Sequence, residues 1–455
     1  MQTSVPRTRE THVRYLIVAT LFMASAFSYG DRVVLSIAGI SFAKDLHLDP
    51  LHLGYLFSGF SWAYVIAQVP SGWLLDRFGT KRVYGSSILV WSILAALTGF
   101  AGYLKTALAF DAILLLRLLS GFAQSPVFPG NGRIVAAWFP STERGMASAI
   151  FNSSQYFALV MFGPLMGWLS HVTGWKECFW LLGGLGCALT VWWWRVIYDV
   201  DAHPSIDQAE AAKIEQGGGL CSIGPVDRNA TQQLTWRAVG MMLTNRMLVG
   251  IYLGQFCIVT LTWFFLTWFP VYLNQARHMS IAKVGLLSAL PAFCGSAGGI
   301  LGGFVSDRLL RAGHSLSFSR KTPIVIGMAL AMSLMICNVV NTQTMVMVLM
   351  SIAFFGKGFG ALGWTVISDT SPKGLVGING GVFNLCGNIA GITTPIVIGY
   401  LVQKTHSFHW PLIFVGVTAL LAIASYLLIV GPLYRLRAED LGGTTPVPQA
   451  GVQPA

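Results

Sequence analysis

The stretch Gly72-Trp73-Leu74-Leu75-Asp76-Arg77-Phe78-Gly79-Thr80-Lys81-Arg82 decides the fold, because it returns in the second half of the chain as Gly303-Phe304-Val305-Ser306-Asp307-Arg308. Asp307 follows Asp76 by 231 positions. Two further anchors keep that spacing. Ala149-Ile150-Phe151-Asn152 returns 232 positions on as Gly381-Val382-Phe383-Asn384, and Pro164 returns 231 positions on as Pro395. Three anchors at nearly one offset argue for a duplicated unit. Each charged stretch follows a long apolar run, so both copies are expected to lie the same way up in a membrane. Parallel repeats of that kind place a substrate site at the midplane between them.

Composition says what is duplicated. The 455 residues are 54% hydrophobic and only 10% charged, against about 25% charged in soluble domains. Apolar runs long enough to span a bilayer recur near 14–43, 51–75, 80–102, 106–138, 142–171, 174–199, 245–275, 281–311, 320–340, 343–372, 375–405 and 409–434. The expectation is an all-α membrane protein of twelve transmembrane helices in two pseudo-symmetric six-helix bundles, residues 1–199 and 245–434. The connector 200–244 holds Asp201, Asp207, Glu210, Lys213, Glu215 and a Gly217-Gly218-Gly219 run; it cannot bury a core alone and is expected to be a cytoplasmic linker. Residues 435–455 are expected to form a cytoplasmic tail. No cleavable signal is expected, because the first apolar run is too long for one.

The net charge of +11 would suggest nucleic acid on a soluble protein, but here it sits in short loops and orients the chain. Arg77, Lys81, Arg82, Arg133, Arg144, Arg308, Arg311, Arg320, Lys321, Lys373, Arg435 and Arg437 fall on one side; Lys44, Lys105, Lys176, Arg277, Lys283 and Lys404 fall on the other. Both termini are therefore expected in the cytoplasm. The seven cysteines form no CxxC pair and are expected to be small core residues, with no metal and no cofactor.

Ser28-Tyr29-Gly30-Asp31-Arg32 puts two charges near the middle of the first span. A charge at that depth costs about 2.5–3.5 kcal/mol and marks a functional site by default; the bland alternative is a salt bridge to another helix. Adjacent helical residues point in different directions, so the pair neutralises itself poorly. Arg117 on the fourth span lies nearly level with Arg32 at 1.5 Å per residue, so the two could meet one anion, unless one of them pairs Asp31.

The Gly-x-x-x-Asp-Arg-x-Gly-x-Lys-Arg loop in a six-plus-six frame resembles the signature of the major facilitator superfamily. Its Asp76 and Arg77 would form a latch at the start of a neighbouring helix that breaks as the cytoplasmic side opens. Arg144, in Phe139-Pro140-Ser141-Thr142-Glu143-Arg144-Gly145, resembles a helix 5 counterpart, and Asp307 and Arg308 repeat the latch. Phe60-Ser61-Trp62-Ala63-Tyr64, Pro126-Val127-Phe128-Pro129-Gly130-Asn131-Gly132-Arg133 and Trp263-Phe264-Phe265-Leu266-Thr267-Trp268-Phe269-Pro270 resemble the anion:cation symporter branch, and within it the bacterial glucarate/galactarate transporters, relatives of galactonate carriers. The resemblance implies a monomeric inner-membrane symporter that couples sugar-acid entry to protons.

A sugar acid also needs hydroxyl partners. Tyr29, Tyr64, Gln155, Gln255, Trp364, Asn384 and Asn388 are the mid-helix candidates, and the resemblance supports Tyr29, Tyr64, Gln155, Trp364 and Asn384 most directly. A buried Asn or Gln among them could instead be interhelical glue. Lys357, in Phe354-Phe355-Gly356-Lys357-Gly358, lies far from either surface and could hold the second carboxylate of a diacid; otherwise it snorkels. One departure stands out: members of this type usually carry Glu where this chain has Gln124. Coupling then runs through Asp31 alone, or Gln124 is an altered position that binds substrate but transports poorly. Other organic anions (galactonate, glycerate) and a non-transporting sensor are the alternatives. No HExxH, GxSxG or P-loop pattern supports an enzyme.

Overall fold

A computed structural model describes residues 11–140, 143–225, 236–371 and 376–436. Arg7, Arg9, Lys373, Arg437, residues 226–235 of the connector and the tail beyond Leu436 lie outside them. The described residues contain helices and no strand: α1 Val13–Asp45, α2 Pro50–Phe78, α3 Thr80–Ala101, α4 Thr106–Gln124, α5 Val127–Trp138, α6 Arg144–Val172, α7 Trp175–Val196, α8 Gln208–Gln216, α9 Trp236–Thr244, α10 Arg246–Trp263, α11 Phe269–Gln275, α12 Ile281–Arg311, α13 Leu316–Ala331, α14 Gln343–Phe359, α15 Gly363–Thr370, α16 Val376–Thr405 and α17 His409–Ala424. Among the described residues, nine stretches are long and apolar enough to cross a membrane. The helices α2, α6 and α7, of 29, 29 and 22 residues, complete the twelve spans of a multi-pass membrane protein.

Each half breaks its fourth span. Pro126 follows Ser125 between α4 and α5, and a proline removes a backbone donor and crowds the preceding turn. The partner break at Gly360–Leu362 separates α14 from α15. The seventh span widens into a π turn over Phe264–Trp268 just before Pro270, the kind of bulge that accommodates a disturbed hydrogen-bond ladder. Large apolar side chains such as Ile66, Phe293, Ile300 and Leu428 are exposed, as lipid-facing positions should be.

The halves meet through α2 against α16 and α6 against α12. Among the described residues the one hydrogen bond between them, Gln403 Nε2 to Asp49 Oδ2 at 3.3 Å, lies at the end away from the chain termini. Phe57 against Trp268, with ring centroids 5.6 Å apart, reinforces that end. At the terminus end the described residues show neither a hydrogen bond nor an ion pair between halves.

The described part of the connector is docked, in contrast to a free linker. Leu220 N and Cys221 N donate to Ala136 O and Ala137 O at 3.0 and 3.2 Å, and Thr80 N donates to Ile223 O at 2.8 Å. Glu210, fully buried, accepts from Thr11 Oγ1, Val13 N, Arg14 N and Arg14 Nη1 at 2.8–3.2 Å. It therefore satisfies donors that the first turn of α1 leaves open, while Arg14 also reaches Glu143 at 3.1 Å.

Candidate functional site

Asp31 and Arg32 diverge as adjacent helical residues must. Asp31 turns to α4, where Arg117 Nη1 donates to Oδ1 and Oδ2 at 3.1 and 3.0 Å and Gln124 Nε2 donates to Oδ2 at 3.1 Å. Gln124 Oε1 in turn accepts from the Ser28 hydroxyl at 2.7 Å. Asp31 and Arg117 are each 2% exposed and Gln124 is fully buried. Arg117 is thus the ion partner of Asp31 in this conformation, the alternative that the sequence left open beside a role at the substrate. The pairing has a clear cause: a buried carboxylate without a partner is far costlier than a paired one.

Arg32 faces the other way into an aromatic box. Its Cζ lies 4.4 Å from the ring centroid of Phe60, 4.8 Å from Tyr29, 5.7 Å from Tyr64 and 5.8 Å from Trp263. Its Nε has no hydrogen-bond partner, and no carboxylate pairs it among the described residues. Rings stabilise a guanidinium by roughly 0.5–2 kcal/mol each, the Tyr29 side chain is in hydrogen-bond reach of it, and the group keeps its charge in proteins. Trp263 comes from the second half, so this cation stands at the boundary between bundles.

Across that boundary Lys357 is buried on α14. Its Nζ lies 5.3 Å from the Tyr156 ring of the first half and 5.4 Å from Phe354, with no carboxylate partner among the described residues. It does not snorkel. Each of the two cations thus has a tyrosine ring of the first half against it, Tyr29 for Arg32 and Tyr156 for Lys357.

The other candidates make their contacts within their own halves. Gln255 sits against α15 and α16, where a Cβ on Gly363 would lie 2.8 Å from its Oε1 and one on Gly387 3.1 Å from its Cγ. Trp364 is exposed with its ring 5.2 Å from Phe383. Asn388 Nδ2 donates to Asn384 O at 2.8 Å, and Gln155 Nε2 to Asn152 O at 3.3 Å, so these two amides are engaged on their own helices. Phe60, Tyr156, Trp263 and Ser28 were not singled out from the sequence. Phe60, Trp263 and Ser28 all lie inside motifs quoted above, and Tyr156 follows Gln155, but apolar and aromatic residues in a span carry no polar signal.

The gating candidates stand apart at the terminus end. Asp76 pairs Arg133 of α5 at 3.0 Å, inside a helix and not at the start of one, while Arg77 lies over Trp73 and Phe78 at 5.2 and 5.5 Å. Arg144 donates to Phe139 O, Ala136 O and Gly218 O. Asp307 pairs Arg320 at 2.9 Å, and Arg320 also holds Asp369 at 2.8 Å. Arg308 makes no ion pair among the described residues.

Comparison with known proteins agrees with this architecture. The sequence model described as Major Facilitator Superfamily matches residues 21–395. The chain is 54% identical over 431 residues to the probable galactarate/D-glucarate transporter GudP of Bacillus subtilis (strain 168), covering 95% of each. It is 51% identical over 440 residues to the probable galactarate/D-glucarate transporter GudP of Escherichia coli (strain K12), covering 96% of this chain and 97% of that one. In fold it resembles a bacterial homologue of the human lysosomal transporter Spinster, in an inward-facing and unoccupied crystal structure, with a TM-score of 0.73 at 14% identity over 95% of this chain and 99% of that one.

Proposed function

The chain belongs to the Major Facilitator Superfamily, and from that premise we propose that it imports a six-carbon sugar diacid, glucarate or galactarate, together with protons by alternating access. The observation that carries the substrate class is the pair of buried cations Arg32 and Lys357 on opposite halves, neither with a carboxylate partner among the described residues. A diacid offers one carboxylate to each and so binds the halves to one another. Guanidinium pairs bidentately with carboxylate, while the lysine acts as a point charge. Tyr29, Tyr64, Gln155, Gln255, Trp364, Asn384 and Asn388 supply the surrounding hydroxyl, amide and ring contacts for the sugar hydroxyls. The same function at about half identity in the relatives' printed names supports the reading.

Asp31 carries the proton. While charged it holds Arg117; once protonated it releases that guanidinium, and the positive field around the substrate carboxylate rises. The basic loops put the termini in the cytoplasm of a bacterial inner membrane. The seam at the opposite end is then the outer gate, and this conformation is the inward-facing one. One chain holds the whole site, so a monomer suffices.

Isothermal titration of the purified protein with glucarate, galactarate, gluconate and galactonate tests the reading. Diacids bind and Arg32→Ala abolishes binding while the protein still folds. Affinity retained by Arg32→Ala within about threefold, well below the tenfold that 1.4 kcal/mol represents, would sink it.

A further inference from the structure

Phe60, on α2, is 1% exposed and is, among the described residues, the one ring that both guanidiniums approach: Arg32 Cζ at 4.4 Å and Arg117 Cζ at 5.8 Å from its centroid. Both arginines have an Nε buried without a hydrogen-bond partner. The ring is held in place from two sides. It stacks on Tyr64 with centroids 5.4 Å apart and planes 23° from parallel, and α4 presses so closely on α2 that a Cβ on Gly121 would run into the Phe60 carbonyl.

We propose that Phe60 is a positioning residue that couples the charge state of Asp31 to anion affinity at Arg32, by holding Arg117 and Arg32 against one aromatic ring. This rests on the reading of Arg32 as the anion ligand. With Asp31 ionised, Arg117 belongs to a neutral pair and the ring serves Arg32. With Asp31 protonated, two uncompensated cations face a single ring, and an anion at Arg32 relieves their repulsion. The ring offers no hydrogen bond and keeps water from the gap, so the interaction between the two charges stays strong. Of the charged and titratable groups around Asp31, Arg117 on α4 pairs it and Gln124 on α4 donates to it, Arg32 on α1 turns away from it against Tyr29 and, on α2, Tyr64, and across the boundary Lys357 on α14 lies against Tyr156 on α6. Asp31 is the one carboxyl among them.

The test is the glucarate dissociation constant of the full chain between about pH 5.5 and 8, by titration calorimetry, for the unmodified protein, Phe60→Leu, Phe60→Tyr, Asp31→Asn and Arg32→Ala. The unmodified protein binds more tightly as pH falls. Phe60→Tyr keeps that slope, whereas Phe60→Leu flattens it to less than about threefold over the range, as Asp31→Asn does. Phe60→Met carries the same test should Phe60→Leu fail to fold. A uniform loss of affinity in Phe60→Leu with the slope intact overturns the proposal and leaves the ring a packing role. An unmodified protein without pH dependence overturns it too. Binding retained by Arg32→Ala brings down the underlying reading instead, and is visible separately.

Discussion

Gly54 and Gly285 stand in the same relation to the opposite half: a Cβ on Gly54 would lie 2.6 Å from Pro395 O, and one on Gly285 would lie 2.6 Å from Gly163 O. Gly285 follows Gly54 by 231 positions, the offset of the charged loops, so the contact between the bundles obeys the internal repeat. The relation continues one turn away, where a Cβ on Gly399 would lie 2.6 Å from Pro50 O and one on Gly167 3.1 Å from Ile281 O. Helix backbones that touch in this way pack by van der Waals contact, which a side chain would destroy.

A wedge in that seam should therefore shift the conformational balance. Gly54→Leu forces backbone against side chain, and overpacking costs about 1–3 kcal/mol, enough to change a two-state population roughly tenfold. Spin labels at Tyr103→Cys and Val339→Cys, both exposed in the native protein, in a background without the seven native cysteines, should report a longer distance between halves at the end away from the termini. An unchanged distance distribution in both Gly54→Leu and Gly285→Leu would count against a seam that moves.

Lys357 makes a second prediction because it has no carboxylate of its own among the described residues. If it holds the far carboxylate of the substrate, Lys357→Asn weakens glucarate at least tenfold more than it weakens gluconate. Calorimetry with the two acids decides it, and equal losses would return Lys357 to a structural role against Tyr156 and Phe354.

Most of the architecture was legible because the chain states it twice. Repeat anchors at Asp76 and Asp307 and at Pro164 and Pro395, with the apolar runs, locate twelve spans to within a few residues of their observed ends. The site was legible where it is charged: Asp31, Arg32, Arg117 and Lys357 stand out against lipid-like neighbours. Which arginine pairs Asp31 was not, since helix depth ranks Arg32 and Arg117 equally and only rotation about the helix axis separates them. The aromatic box around Arg32 was equally hidden, because Phe60 and Trp263 look like any lipid-facing ring. The docking of the connector was hidden for another reason. Its composition is that of a linker, yet Glu210 finds the open donors of α1 nearly two hundred residues away.

That docking yields a third prediction. Glu210→Ala removes the acceptor for Thr11, Val13 and Arg14 together, and leaves Arg14 with Glu143 alone. Breaking a buried charge pair costs about 3–5 kcal/mol, and the remaining bond to Glu143 holds the loss toward the lower end. The melting temperature should fall by several degrees, and protease should cut within 200–225 sooner than in the unmodified protein. A melting temperature and cleavage rate both unchanged would mean that the connector docks without Glu210.

The last prediction joins Asp31 to Gln124. Proton coupling needs a group that loads a proton on one side, alters substrate binding, and unloads on the other. Asp31 does the first two through Arg117, but Gln124, which donates to it at 3.1 Å, cannot titrate and so cannot take the proton onward. A carboxylate at that position would stand close enough to Asp31 for the two to share one proton, with the Ser28 hydroxyl still available as a donor to it. Gln124→Glu should therefore raise proton-driven accumulation of glucarate in proteoliposomes several-fold over a weakly accumulating unmodified chain, while counterflow without a gradient changes little. Asp31→Asn should remove the pH dependence of binding, because Arg117 is then free at every pH. Uptake under an imposed pH gradient, run beside counterflow, separates the cases. Full accumulation by the unmodified chain, with no gain in Gln124→Glu, would mean that Asp31 alone moves the proton and that the hydrogen bond from Gln124 serves only to hold its carboxylate toward Arg117.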